Sequence, residues 1–159
     1  MAESPAERLM ASWTRLNSKP GGRWLFSRLL SWWVPYSGSI RPHVRELRPG
    51  YARVTMGDRR GVRNHLNSIH AIALVNLGEV TSGLALITAL PPGIRSIATA
   101  LHTEFLKKGR GQLTAQSACQ VPARLAETTE TLVTGEITDR AGDLVARITV
   151  TWRLSPPVT

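Results

Sequence analysis

Between Asn64 and Ile94 the chain runs for thirty-one residues with a single formal charge, Glu79. Within this span Ala71 to Leu90 is apolar almost all round, and Pro91-Pro92-Gly93 closes it. That pattern predicts one long helix ended by its proline pair. Twenty helical residues span about 30 Å, enough to cross a bilayer, so that possibility comes first. A carboxylate at mid-helix is costly in lipid, and Asn76, Thr81 and Ser82 add polarity. The flanks are rich in arginine and lead into strands. The remaining solution is a central helix enclosed by other elements of a folded domain.

The rest of the chain supplies the enclosure. Ile40 to Met56 reads as extended, with a turn at Pro49-Gly50, and Tyr51–Met56 alternates as a half-buried strand does. After the helix, Ile97, Thr99, Leu101, Thr103 and Phe105 alternate with Ala98, Ala100, His102, Glu104 and Leu106. Gln112–Val121, Thr128–Thr138 and Leu144–Leu154 read as further strands. Turns at Lys107-Lys108-Gly109-Arg110-Gly111 and Asp139–Asp143 separate them, and such short connections predict antiparallel neighbours. The expected class is α+β: one antiparallel sheet curled around one helix. At 159 residues this is a single core, and no internal repeat is evident.

Residues 1–35 read as helical, broken at Lys19-Pro20-Gly21-Gly22. The expected division is a helical extension over 1–38 and the main domain over 39–159. Arg23 to Val34 holds Trp24, Trp32 and Trp33, with Arg23 and Arg28 as its only charges. Three readings follow: a helix packed on the domain, a helix lying on a membrane surface, or a lid over an apolar ligand. It is too short and too basic to span a bilayer. The net charge is +9, of which residues 1–63 contribute +8, so an acidic partner is expected: cofactor phosphates, a membrane surface or nucleic acid. Scattered arginines without a binding motif disfavour nucleic acid. One cysteine, Cys119, excludes an internal disulfide, and the opening MAESPAERL is unlike a secretory signal, so a cytoplasmic setting is expected. His43, His65, His70 and His102 lack ligand spacing, so no metal is expected.

Two features carry chemistry. Burial raises the pKa of a carboxylate such as Glu79, and such groups cluster at functional sites. Asn76, Glu79 and Ser82 follow at i, i+3 and i+6 as one polar stripe, with Gly78 and Gly83 allowing close approach by a backbone or ligand. The second feature is the loop Asn64–His70. It delivers the first helical turn at Ala71 and Ile72, whose unpaired N–H groups sit at the positive end of the helix dipole, suited to a carbonyl or oxyanion. Glu79 lies eight residues beyond Ala71, about 12 Å along the axis and some 80° around it. One helix cannot focus both on one small group, but two antiparallel copies can. A site built from both is therefore shared across a homodimer, with pairing into a tetramer left open.

Asn64, His70, Ala71 and Glu79, on a loop entering a long central helix, resemble the hotdog-fold thioesterases. The PaaI-like acyl-CoA thioesterases carry an Asn, a His-Gly-Gly six residues on, and a helical Asp or Glu eight residues beyond the first Gly. The resemblance covers about residues 40–155 and leaves the Trp-rich segment outside the shared core. It implies thioester hydrolysis, with Glu79 as general base or nucleophile, the Ala71 N–H polarising the carbonyl, Asn64 positioning water or substrate, and His70 shaping the loop. Asn76, Ser82, Gly83 and Thr99 would line the substrate. Arg59, Arg60, Arg63, Arg95, Lys107, Lys108 and Arg110 would meet CoA phosphates, with no cofactor beyond the CoA of the substrate. Two positions depart from the pattern: the Gly-Gly is Ala71-Ile72, and the strand position that sometimes holds Ser or Thr is Ala98, next to Thr99. The alternatives are a module that binds an acyl thioester, on CoA or a carrier protein, without hydrolysing it, and a membrane-surface or interaction protein.

Overall fold

The computed structural model describes residues 4–156. Three helices come first: α1 (Pro5–Asn17), α2 (Gly22–Trp33) and the single turn α3 (Pro35–Gly38). Ser4 caps α1 in a reciprocal box, its hydroxyl accepting from the Glu7 N–H while Glu7 accepts from the Ser4 N–H. The expected break before α2 turns through Gly21, at a φ of 71° that side chains rarely adopt. Leu9, Trp13 and Phe26 join α1 to α2, with Trp13 and Phe26 edge to face at 5.1 Å.

Six strands follow: β1 (His43–Arg48), β2 (Tyr51–Met56), β3 (Arg95–Phe105), β4 (Leu113–Ala118), β5 (Thr129–Thr138) and β6 (Leu144–Ser155). The long helix α4 (Ala71–Ala89) lies between β2 and β3 in the chain. The sheet has the order β1-β2-β4-β5-β6-β3, antiparallel throughout. This is the hotdog fold, as expected: one sheet around one helix.

Two local expectations are corrected. β3 and β4 follow each other in the chain but are not neighbours. β3 pairs with β6 at one edge, and the segment after Phe105 crosses β6 and β5 to reach β4. That is three strand spacings, about 14 Å, well within reach of the connecting residues. The crossing is held over the start of α4, where the Ile69 N–H donates to the Gly109 carbonyl at 2.8 Å. Nor does β3 alternate without interruption: a bulge at Thr99 breaks the register between Ala98 and Ala100. Ala98 pairs with Trp152, and Leu101, Thr103 and Phe105 pair with Val150, Ile148 and Ala146. The bulge thus places Leu101 and Phe105 on the helix side and leaves Ile97 on the opposite face.

α4 packs closely because two glycines meet: a Cβ on Gly135 of β5 would lie 2.9 Å from the Gly78 carbonyl oxygen, and one on Gly78 would lie 2.6 Å from Cβ of Ile148. Leu74, Leu77, Thr81 and Ala85 are buried here. The Thr88 hydroxyl fixes the far end to the β1–β2 turn, accepting from the Gly50 N–H and donating to the Arg48 carbonyl. The N-terminal helices cover another side: Asn76 Nδ2 donates to the Tyr36 carbonyl at 3.2 Å, and the buried Ser27 hydroxyl accepts the Val44 N–H of edge strand β1. One face of α4 stays partly open, that of Ile72, Val75 and Glu79. Over the outer strand β3, Leu101 and Phe105 are also half exposed on the helix side.

Candidate active site

The start of α4 is set by its loop. The His70 N–H donates to Val62 at 2.8 Å, fixing where the helix begins. His70 is the N-cap, and its Nδ1 accepts the Ile72 N–H at 3.1 Å. The Ala73 and Leu74 N–H groups donate to the His70 carbonyl. Of the four N–H groups at this end, only that of Ala71 has no partner among the described residues. It sits at the positive end of a nineteen-residue helix.

A cleft of about 320 Å³ opens at this point, lined by Asn64, Leu66, Ser68 and Ala71 on one wall and by Phe105–Gly109 on the other. Asn64 shapes the first wall: its Oδ1 accepts from the Leu66 and Ser68 N–H groups and from the Ser68 hydroxyl. The expected substrate-positioning role therefore cannot use Oδ1, and Nδ2 is the part of the side chain left over. Sequence reasoning missed Asp58, which joins the walls. It accepts from Arg63 Nε at 2.6 Å and from the Gly111 N–H at 2.9 Å, and these donors hold its carboxyl below the usual carboxylate range. Its only sequence signal is an acid in an otherwise basic loop.

Glu79 is half-buried on the open face of α4, two turns beyond Ile72. Its carboxyl has no hydrogen-bond or ion-pair partner among the described residues, and burial raises its pKa above the ordinary glutamate value. It does not line the cleft at Ala71. The rest of the expected stripe is otherwise engaged: Asn76 holds α3, and the Ser82 hydroxyl donates to the Glu79 carbonyl at 2.9 Å. Gly83 makes room for the Trp152 ring, 3.4 Å from where its Cβ would stand, so the close approach it allows is to protein. Thr99 is the bulged residue of β3, its hydroxyl donating to the Thr151 carbonyl.

The seven basic candidates separate. Lys108, Arg110 and Arg60 are exposed and form no salt bridge among the described residues, although the charge of Arg110 helps to lower the pKa of the Asp58 carboxyl. Lys107 is held by Asp139 and Asp143 at 2.6 and 2.5 Å, and Arg63 by Asp58. Arg59 donates to the carbonyl of Ser39, the residue that follows α3. Arg95 starts β3, ten residues from the Phe105 end, so within one protomer it lies about 30 Å from the cleft.

The sequence matches the family described as a domain of unknown function, DUF4442, over residues 22–154. The match takes in α2 and α3, which the sequence reading had left outside the shared core. No curated protein matches. The structural-genomics protein APC5556 is 30% identical, with a TM-score of 0.79 over 93% of this chain and 97% of its own. PA5026 of Pseudomonas aeruginosa, described as a probable thioesterase, is 23% identical, with a TM-score of 0.68 over 82% and 91%. A hypothetical thioesterase of Streptococcus pneumoniae, solved with coenzyme A, is 22% identical, with a TM-score of 0.62 over 74% and 91%. These likenesses agree on the fold and single out no PaaI-like branch. With the family match spanning most of its length, the chain belongs to the DUF4442 family, carried here on a hotdog fold.

Proposed function

We propose that the protein hydrolyses acyl-CoA thioesters at a site completed by a second copy of the chain. The observation that carries this reading is the Glu79 carboxyl: half-buried, unpaired among the described residues, and on the one face of α4 left partly open. A carboxylate is stable there only where something else meets it. In an antiparallel homodimer that partner is the Ala71 turn of the other helix. Leu101 and Phe105, apolar and half exposed on the helix side of an unpaired edge strand, support the same assembly, because a second protomer would cover them.

In this reading Glu79 takes a proton from water as the water oxygen attacks the thioester carbonyl carbon. The Ala71 N–H of the other protomer donates to the oxyanion, and the C–S bond then breaks as Glu79 returns its proton to the departing sulfur, giving the free acid and the CoA thiol. Attack by Glu79 itself is the variant route. The pneumococcal neighbour's bound coenzyme A supports a CoA-linked substrate. Lys108, Arg110 and Arg60, which form no salt bridge among the described residues, are suited to its phosphates, and a cytoplasmic setting belongs to the same reading. Ile72, 54% exposed beside Ala71, favours a second reading in which its bulk lets the site bind an acyl thioester without turnover. Release of free CoA across short, medium, long and aromatic acyl-CoAs decides between them. Turnover lost in Glu79→Gln supports hydrolysis, and tight binding without turnover by the wild type supports the binding module.

A further inference from the structure

We infer that the outward half of α2 docks on an anionic lipid bilayer. Only Gly22, Phe26 and Ser27 of this helix are buried. Trp24, Leu25, Leu29, Trp32 and Trp33 are exposed, Trp32 at 75%. At 100° per residue, the arc from Trp24 through Arg28, Trp32, Leu25 and Leu29 to Trp33 covers about half the helix circumference and is apolar except for the arginine. A helix packed on a domain turns such residues inward, whereas tryptophan is enriched where an apolar phase meets water. Val34 and Tyr36 extend the exposed surface.

Charge selects the occupant. From Arg8 to Arg45 the sequence has seven basic residues and no Asp or Glu. A second copy brought to the same face would set two such surfaces against each other. A sheet of anionic headgroups over acyl chains satisfies both the charge and the apolar arc. α2 packs near β1, at the opposite margin of the sheet from β3, so bilayer contact does not compete with pairing through β3. The inference is independent of thioester hydrolysis.

The test is sedimentation of the full chain with phosphatidylcholine vesicles, alone or with about one third phosphatidylglycerol, together with quenching of tryptophan emission by lipids brominated along the acyl chain. The expected result is partition at least tenfold stronger onto the anionic vesicles, weakened by salt, with part of the emission quenched, since Trp13 and Trp152 are buried. Trp32→Ser with Trp33→Ser weakens binding and lowers the quenching to at most the share of Trp24. Arg28→Gln, on the docking arc, weakens binding about fivefold, whereas Arg23→Gln, on the opposite side of the helix, changes it less. Circular dichroism confirms that these surface variants are folded. Equal binding to neutral vesicles, no binding to either, or binding unchanged by the tryptophan substitutions overturns the inference. So does concentration-dependent self-association that needs Trp32 and Trp33.

Discussion

The candidate chemistry rests on a few atoms whose neighbours are now defined. In Glu79→Gln, loss of the proton acceptor lowers kcat by about 10²–10⁴-fold, measured as CoA release. Burial raises the folded-state pKa of Glu79 above its unfolded value, so its charge penalises the fold. The penalty grows as pH rises past the unfolded value and is complete above the folded one. In a protomer standing alone, Glu79→Gln therefore raises Tm at neutral pH, and the gain fades on acidification, whereas in the dimer the partner's Ala71 turn offsets that penalty; thermal melts across pH at low and high protein concentration check this. The acid limb of kcat/KM in the wild type lies above the ordinary glutamate range. Asp58 has the opposite sign: its folded pKa is lowered, so its stabilisation is present above the unfolded value and is lost as pH falls through the folded one. Asp58→Ala costs about 1 kcal/mol, a fall of about 2–4 °C in Tm at neutral pH, and raises KM for acyl-CoA as the cleft walls separate. Glu79 was legible in the sequence because charge is rare in an apolar run. Asp58 was not, because although its pairing with Arg63 is local, the bond that joins the two walls is to the Gly111 N–H, fifty-three residues away.

At the scale of elements, local signals read well. The expected helix and the observed α4 both begin at Ala71, since His70 caps it and the proline pair ends it. The break between α1 and α2 and the β1–β2 turn were equally legible, because proline and glycine punctuate both. Pairing that depends on distant partners was not. Nothing within Phe105–Leu113 says that it crosses two strands, and nothing near Thr99 announces a bulge, which β6 imposes through its register. The pairing of Lys107 with Asp139 and Asp143 follows from that same crossing. The contact of α4 with β5 and β6 is the mechanical centre of the fold. Gly78→Ala is expected to destabilise by about 1–3 kcal/mol, because Ile148 meets the new methyl group with its own Cβ and must move with its strand. Denaturant titration checks this.

For the whole molecule, the account requires two copies. Leu101→Lys places a charge on the uncovered side of β3 and is expected to give a folded monomer with activity down at least about a hundredfold, read by sedimentation alongside CoA release. The central claim, that Glu79 of one protomer works with the Ala71 N–H of the other, has a direct test in mixed dimers. Ala71→Pro deletes that N–H at the first helical position, where proline is tolerated, and His70 already has the extended backbone that precedes a proline. Each of Glu79→Gln and Ala71→Pro alone is expected to be inactive. Refolded together in equal amounts, the two variants form half their dimers as mixed pairs, each with one intact site, and recover about a quarter of wild-type activity per protomer. Activity that stays at the level of the separate variants in verified mixed dimers contradicts the shared site.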